Sequence, residues 1–310
     1  KKDLLGLKDM TAEDITDILD RTVSMKEVFV GGRQLDRLSG KCVATLFYEN
    51  STRTRNSFET AARVLGARTM SISVATSSVQ KGESLIDTGK TLDALRTDAI
   101  VIRHSMAGAP DLLAANVRAS VINAGDGMNE HPTQSLLDLF TMREKFGTIK
   151  GLKVVLVGDV KHSRVARSNI WALSKLGAEA VVVAPYTLLP RGVEELGCEV
   201  STDIEEAMIG ANVVMGLRIQ RERQKAGLFP SLAEYNAEFG ITADRLYGIC
   251  ENALVMHPGP VNRGVELSGD VADSPNSAIN EQVTNGVAVR MAVTVSYTHL
   301  RAHETLSELV

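Results

Sequence analysis

The sequence predicts an α/β fold with two doubly wound parallel-sheet domains that are joined by a helix. Short apolar runs alternate along the chain with amphipathic helical stretches, which is typical of α/β architecture. Most of the runs are apolar throughout, as parallel strands are when both faces of their sheet are covered. The alternation occurs in two series, and a helical pattern at residues 132–147 separates them.

Seven segments have the length and composition of buried strands. They lie at residues 42–48, 99–103, 120–123, 153–158, 180–184, 212–217 and 253–256. After the first, apolar residues at i, i+3, i+4 and i+7 predict an amphipathic helix, and Gly66 supplies its C-terminal stop. The two series predict a first domain at residues 1–131 and a second at residues 132–284, which begins with the linker helix.

Composition limits the functional classes. The 310 residues are 44% hydrophobic and 23% charged, the balance of an ordinary globular protein with a sizeable core. The formal net charge is −4 and there is no long basic run, so we expect no nucleic-acid partner and no anionic membrane partner. No apolar run approaches the roughly 18 to 20 residues that cross a bilayer.

The cysteines indicate a reducing compartment. Cys42, Cys198 and Cys250 are far apart, and they form neither a CxxC pair nor a metal-ligand spacing. We therefore expect buried thiols in a cytoplasmic protein, with no metal site. Because the sequence begins at Lys1 rather than at Met, we also expect a few native residues to precede it.

The segment after the first strand has the features of an anion site. Ser51, Thr52, Arg53, Thr54 and Arg55 stand where an apolar strand gives way to an amphipathic helix. Free backbone N–H groups at a helix start attract anions, and hydroxyl and guanidinium groups add further donors. The alternative is a capped helix with solvated arginines. That alternative accounts for the cap but not for five consecutive polar donors.

Two more polar groups lie at the ends of predicted elements. Arg103 ends a strand, and His131 precedes Pro132, a residue suited to the first position of a helix. A helix start disfavours imidazole protonation, which predicts a neutral N–H donor at His131. The alternative for a single histidine is an ordinary surface or core position. The polar loop at residues 77–84 has the simpler interpretation of a solvated loop.

The second domain has cations after two of its strands. Arg164 and Arg218 both lie just beyond predicted strands, and two arginines suit a substrate with two carboxylates. Residues 158–164 have the strand–turn–helix order of a dinucleotide site but lack the G-x-G-x-x-G spacing, which disfavours NAD. A further turn, His-Pro-Gly-Pro, follows at residues 257–260.

Together these segments resemble the aspartate/ornithine carbamoyltransferase family. Residues 51–55 are similar to its carbamoyl-phosphate signature, and residues 131–134 are similar to its second signature. Four more segments match the family in order and spacing: the loop with Ser77 and Lys81, the Arg164 segment, the segment with Arg218 and Gln220, and residues 257–260. The resemblance runs from Leu4 to Val293, and six motifs in the same order make it specific.

The resemblance implies carbamoyl transfer from carbamoyl phosphate to an amino acid, with no cofactor and no metal. It assigns the phosphate to Ser51, Thr52, Arg53, Thr54 and Arg103, and the carbamoyl oxygen to Thr54, Arg103 and His131. It assigns the carbamoyl amino group to Gln134 and the backbone near Pro258 and Gly259, and the amino-acid substrate to Lys81, Arg164, Arg218 and Gln220.

Within the family, the branch that carbamoylates L-aspartate fits better. Ornithine enzymes typically carry a cysteine in the motif that corresponds to residues 257–260, and no cysteine is present there. The Lys81 loop is also of the aspartate type, and cations suit a dicarboxylate. The implied products are N-carbamoyl-L-aspartate and phosphate, in the committed step of pyrimidine (UMP) biosynthesis.

The resemblance also implies a homotrimer with shared active sites, in which the loop with Ser77 and Lys81 reaches a neighbouring subunit. Regulatory or dihydroorotase-like chains are possible further partners. Residues 285–293 are expected to begin a helix that returns to the first domain. Residues 294–310 depart from the family and resemble foreign sequence, so His299 and His303 are assigned no ligand role despite their i, i+4 spacing.

Three other functions remain open from the residues. The nearest is a carbamoyltransferase for ornithine or another amino acid. A nucleotide-dependent dehydrogenase is suggested only by the strand–turn–helix order at residues 157–165, and the missing glycines argue against it. A scaffold that only binds anions or partners is disfavoured by the complete set of Arg53, Arg103, His131, Arg164 and Arg218.

Overall fold

The computed structural model describes residues 1–73, 82–220 and 231–307, with side chains up to residue 298. It divides into two compact units. The first contains Lys1–Leu136 and Thr284–Val310, and the second contains Leu137–Val283. Two helices, α5 (Pro132–Phe146) and α11 (Ile279–Ser307), contribute residues to both units.

The first unit is built on a parallel sheet of four strands in the order β2-β1-β3-β4. Its elements before α5 are α1 (Ala12–Val30), β1 (Cys42–Phe47), α2 (Thr52–Val64), β2 (Arg68–Ser73), α3 (Leu85–Ala94), β3 (Ala99–His104), α4 (Ala109–Ala114) and β4 (Ser120–Asp126). The strand order reverses direction between β1 and β3. In open α/β sheets, ligands bind outside the carboxyl ends of the strands at such a reversal.

The N-terminal segment covers the outer edge of β4. The Leu4 N–H donates to the Val121 carbonyl at 2.9 Å, and the Asn123 N–H donates to the Leu4 carbonyl at 2.8 Å. The Val121 N–H in turn donates to a carboxylate oxygen of Asp3 at 2.7 Å. These bonds satisfy backbone groups of an edge strand that would otherwise be open to pairing with another chain.

The second unit has a parallel sheet of five strands in the order β7-β6-β5-β8-β9. Its elements between α5 and α11 are β5 (Lys153–Gly158), α6 (Arg164–Lys175), β6 (Glu179–Val183), β7 (Glu199–Ser201), α7 (Ile204–Met208), β8 (Val213–Leu217), α8 (Leu232–Phe239), α9 (Ala243–Ile249), β9 (Leu254–Met256) and α10 (Gly269–Ala272). The order reverses between β5 and β8, which again predicts a ligand site at the carboxyl ends of two neighbouring strands.

The predicted fold class is confirmed, and each of the seven predicted strands is present. Two strands were not predicted, β2 and β7, and both lie at sheet edges. Neither strand is apolar throughout: Arg68, Thr69 and Ser71 of β2 are exposed, and so are Glu199 and Val200 of β7. An edge strand is solvated on one side, so neither strand has the continuous apolar run that predicts a buried strand.

The last helix, α11, is a single helix over Ile279–Ser307. Within this helix Arg290 donates to the Ser57 hydroxyl at 2.9 Å, and its guanidinium lies 5.2 Å from the Phe58 ring centroid of α2. Thr294 and Thr298 are buried within the first unit. The interpretation of residues 294–310 as foreign sequence stays a prediction.

In the described ranges, no helix combines the length and the apolar character that crossing a membrane requires.

Candidate active site

The start of α2 is the place in the first unit where the sequence predicts an anion site. Ser51 is the N-cap residue of α2, but its side chain makes no capping hydrogen bond, and the first turn contains no acidic residue. The N-cap residues Thr11, Ser84 and Ser163 of α1, α3 and α6 each accept a hydrogen bond from the first turn of their helix. The first N–H groups of α2 therefore donate no hydrogen bond to the side chain of their N-cap residue.

Arg103 lies at the end of β3, next to β1 at the point where the strand order reverses. Its guanidinium Nε donates to a Glu49 carboxylate oxygen at 3.2 Å, and its side chain is 16% exposed. The Tyr48 N–H donates to the Arg103 carbonyl at 2.8 Å, which joins the two strand ends. Glu49 was not predicted from the sequence. An acidic residue beside an expected phosphate site was the signal that could have identified it.

His104 follows Arg103 and faces the same segment. Its ring lies 4.5 Å from the Tyr48 ring, and its Nδ1 accepts the Met106 N–H at 2.9 Å. Burial lowers the pKa of His104 below its usual range. The ring is thus a neutral acceptor that shapes the β3–α4 turn rather than a cation.

Gly125-Asp126-Gly127 organises the loop that leads to His131. Asp126 is fully buried. One carboxylate oxygen accepts from the Gly108 N–H at 2.8 Å and from the Asn129 side chain at 3.0 Å. The other accepts from the Asn123 side chain at 2.8 Å and from the Glu130 N–H at 3.1 Å. Four bonds to one carboxylate fix the backbone just before α5.

Glu130 ties the N-terminal segment to this loop. Its buried carboxylate accepts the Leu7 N–H at 2.7 Å and the Lys8 N–H at 3.1 Å. His131 and Gln134 follow at the start of α5, and both are buried. The Gln134 N–H donates to the His131 carbonyl at 3.0 Å, so the two side chains stand on one helix turn.

A second Gly-Asp pair organises the β5–α6 loop of the second unit. Asp159 is fully buried, and one oxygen accepts from the His162 N–H at 3.2 Å and from its ring Nδ1 at 2.7 Å. The other oxygen accepts from the Gln220 N–H at 3.4 Å. The Gln220 side chain donates to the His162 carbonyl at 3.1 Å. The loops after β5 and β8 are therefore joined through Asp159 and His162.

These loops position the two arginines predicted for a dicarboxylate. Arg164 is the first residue of α6 and is 5% exposed, and Arg218 follows directly after β8. Both come from the carboxyl ends of β5 and β8, the neighbouring strands where the order reverses. Two guanidinium groups and a side-chain amide from adjacent strand ends can form hydrogen bonds with carboxylates.

The turn at residues 257–260 follows β9. The Gly259 N–H donates to the His257 ring Nδ1 at 2.8 Å, and the ring Nε2 lies 3.2 Å from a Glu266 carboxylate oxygen. Pro258 and Gly259 are partly buried. Histidine here is structural, because both ring nitrogens are used within its own loop.

The structure thus brings the predicted residues together within each unit. Ser51, Thr52, Arg53, Thr54 and Arg103 lie at the reversal of the first sheet, and Arg164, Arg218 and Gln220 lie at that of the second. Ser77 and Lys81 lie outside the described residues. Asp126 and Asp159 were not predicted, although a Gly-Asp pair after an apolar strand was a usable signal in both domains. Among the described residues no three histidine, cysteine or acidic side chains are grouped to hold a metal.

Two family descriptions match this chain. Residues 2–144 match the carbamoyl-P binding domain of aspartate/ornithine carbamoyltransferase, and residues 150–297 match its Asp/Orn binding domain. The chain belongs to the aspartate/ornithine carbamoyltransferase family. It is therefore an enzyme of the transferase class.

Individual relatives are similar over nearly the whole chain. The aspartate carbamoyltransferase catalytic subunit of Acetivibrio thermocellus is 61% identical over 307 residues, which are 99% of this chain and 98% of the relative. That of Ruminiclostridium cellulolyticum is 60% identical over 94% of each chain. Among solved structures, aspartate transcarbamoylase from Trypanosoma cruzi with carbamoyl aspartate and phosphate has a TM-score of 0.88 at 31% identity, over 95% of each chain. The catalytic subunit of M. jannaschii aspartate transcarbamoylase has a TM-score of 0.85 at 38% identity, over 96% of this chain and 98% of that one.

Proposed function

We propose that this chain transfers the carbamoyl group of carbamoyl phosphate to L-aspartate, releasing N-carbamoyl-L-aspartate and phosphate. The observation that carries the proposal is the start of α2, where Ser51 leaves the helix amides uncapped by a side chain beside Arg103. Relatives that share more than half of the residues are named aspartate carbamoyltransferase catalytic subunits. The reaction belongs to pyrimidine biosynthesis.

The phosphate group is assigned to the first unit. Backbone N–H groups at the start of α2, together with Ser51, Thr52, Arg53 and Thr54, form a cradle of donors for its oxygens. Arg103 adds a guanidinium, whose orientation is held by Glu49. These donors neutralise the leaving group as the bond between the carbamoyl carbon and the phosphate oxygen breaks.

The carbamoyl group is held by three further residues. Thr54, Arg103 and His131 donate to the carbonyl oxygen, on which negative charge builds when the amine attacks. Fixed donors at that oxygen stabilise the transition state, and losing one typically costs about 10²–10³ in rate. Gln134 and the backbone of Pro258 and Gly259 orient the amino group of the same substrate.

The aspartate is assigned to Arg164, Arg218 and Gln220 of the second unit, with Lys81 as a further cation. Its amine attacks the carbamoyl carbon, the phosphate leaves, and the departing phosphate accepts the amine proton. This chain needs no covalent intermediate for such a transfer, because bringing two oriented substrates together supplies much of the rate.

A substrate test separates this function from its nearest rival. Purified protein with carbamoyl phosphate should form N-carbamoyl-L-aspartate from L-aspartate, and no citrulline from ornithine. Arg53→Ala should lower kcat/KM at least about 100-fold, because a charged donor to the phosphate is lost. Arg63→Ala is the matched control, since Arg63 is exposed on the same helix and should leave kcat/KM unchanged. Equal loss in both variants would remove the phosphate role of Arg53.

We further propose a cytoplasmic homotrimer with shared active sites. The three cysteines are free, which supports a reducing compartment. The loop with Ser77 and Lys81 is the part assigned to a neighbouring subunit, and the family resemblance supports that assignment. Regulatory or dihydroorotase-like chains remain possible further partners.

Mixing two inactive variants tests the shared site. Lys81→Gln and Arg53→Ala should each be nearly inactive alone. If sites are shared, hybrid trimers contain interfaces where both wild-type residues meet, and activity should return. Sedimentation must first establish that each variant assembles. Trimers that mix freely yet stay at background activity would show that each chain owns a complete site.

A further inference from the structure

A network of buried, hydrogen-bonded polar side chains lies in the second unit and ends at the turn that contains Pro258. Its five members are at most 3% exposed: Asp138, Asn169, His257, Glu266 and Gln282. None of them has a role in the proposed function. Burying polar groups is costly unless each finds a hydrogen-bond partner, so a continuous network of this kind constrains the geometry around it.

Asp138 sets the orientation of the Gln282 side chain. One Asp138 oxygen accepts from Gln282 Nε2 at 2.8 Å, and the other accepts from Asn169 Nδ2 at 3.0 Å. A carboxylate can only accept, so it fixes the amide nitrogen of Gln282 toward itself. The amide oxygen of Gln282 is thereby turned to the His257 N–H, which donates to it at 3.0 Å.

The network continues from His257 through the turn. Because the Gly259 N–H donates to Nδ1, the neutral ring carries its hydrogen on Nε2 and donates it to Glu266. Glu266 also accepts the Asn262 N–H at 2.7 Å and the Asn262 side chain at 3.2 Å. The turn is therefore fixed at its start by Gln282 and at its end by Glu266, with Pro258 and Gly259 between them.

We propose that Asp138 and Gln282 are positioning residues for recognition of the carbamoyl amino group. They act by setting the position of the Pro258 carbonyl, to which the proposed function assigns that group. The inference rests on the proposed function. It concerns how the enzyme distinguishes NH₂ from an isosteric CH₃, which cannot donate a hydrogen bond. A site built around an N–H donor rejects an analogue that lacks it.

Acetyl phosphate is the probe for this distinction, because a methyl group replaces the amino group of carbamoyl phosphate. Asp138→Asn presents an amide N–H where two acceptors were needed, so the Gln282 amide loses its fixed orientation. We expect the KM for carbamoyl phosphate to rise about tenfold or more, the effect of one misplaced hydrogen bond to a buried group. The inhibition constant of acetyl phosphate, measured against carbamoyl phosphate, should change less than about twofold.

A reciprocal exchange provides the rescue. Gln282→Glu alone places two carboxylates face to face and should also raise this KM. With Asp138→Asn and Gln282→Glu together, the new asparagine at position 138 donates to the new glutamate and still accepts from Asn169. The second oxygen of that glutamate accepts from the His257 N–H. All three hydrogen bonds are restored, so the KM should return to within about threefold of wild type.

Asp244→Asn is the matched control, an exposed carboxylate in the same unit that should change neither constant. Parallel changes for carbamoyl phosphate and acetyl phosphate would overturn the inference, because the residues would then act on general folding. A folded double variant without rescue would also overturn it. So would failure of all three variants to fold. An inactive wild-type enzyme would instead refute the proposed function, whereas an active wild type with an unaltered Asp138→Asn variant refutes only the positioning role.

Discussion

At the scale of single residues, a glycine at the end of one strand sets the position of a charged side chain that follows the neighbouring strand. Gly158 ends β5 with φ +138°, a backbone region open essentially to glycine. A Cβ at this position would lie 2.5 Å from the Leu217 carbonyl oxygen of β8. That carbonyl directly precedes Arg218, so the close approach of the two backbones sets the position of the residue that is proposed to bind aspartate.

Gly158→Ala should therefore affect both stability and substrate binding. We expect it to lower the free energy of unfolding by on the order of 3 kcal/mol, from backbone strain and the clash with β8. The KM for aspartate should rise as β8 moves. Gly210→Ala is the control: Gly210 also has a positive φ, but its added Cβ meets nothing within 4 Å, so it should cost only about 1 kcal/mol. Urea unfolding and steady-state kinetics measure both, and equal effects would contradict the argument.

At the scale of elements, two helices of the first unit have a hydroxyl residue at the N-cap position, but only one of these hydroxyl groups caps its helix. Thr11 forms a capping box with Asp14, in which each side chain accepts the other's backbone N–H at 3.1 Å. Ser51 makes no such bond at the start of α2. The first helix start is thus capped within the chain, and the second has no side-chain cap from its N-cap residue.

Alanine substitutions at the two caps should have opposite consequences. Thr11→Ala should lower the free energy of unfolding by about 1 kcal/mol and leave activity unchanged. Ser51→Ala should leave stability nearly unchanged and lower kcat/KM for carbamoyl phosphate about tenfold or more, because a hydroxyl donor to a charged group is lost. Thermal or urea unfolding together with initial rates provides the comparison. A Ser51→Ala enzyme that is destabilised as much as Thr11→Ala would show that Ser51 serves as a structural cap.

At the scale of the whole molecule, burial keeps several weak acids protonated in both units. Burial raises the pKa of Cys198 to about 11 and that of Cys250 to about 11. In the first unit, burial raises the pKa of Tyr297 to about 12. In the unfolded chain a cysteine loses its proton near pH 8.5 and a tyrosine near pH 10. Unfolding therefore releases protons at alkaline pH.

Because the pKa values of these cysteines are raised in the folded state, the free energy of unfolding depends on pH in the alkaline range. Below about pH 8.5 the cysteines are protonated in both states and their contribution is fully present. As pH rises toward about 11, only the unfolded state ionises, so the free energy of unfolding should fall. Urea titrations between these limits should show a shallower decline for a Cys198→Ala, Cys250→Ala double variant. The same slope as wild type would show that other groups govern alkaline stability.

The sequence alone determined the α/β class, the linker helix at Pro132–Phe146 and the strand at Lys153–Gly158, whose bounds match the structure. These elements follow from local periodicity and from caps, which are encoded within a few residues. It also predicted that the charged residues after the strand ends are candidate site residues. The resemblance to a family then assigned a role to each candidate, and those roles stay predictions.

Tertiary structure decided the strand order, and with it which strand ends are neighbours. Parallel strands are joined by crossovers, so no local pattern shows that β3 lies beside β1 or β8 beside β5. The sequence offered signals for Glu49, Asp126 and Asp159, but only the tertiary structure shows which groups donate to their carboxylates. Periodicity determined the elements, whereas long-range hydrogen bonds to buried carboxylates decided how the functional side chains are held.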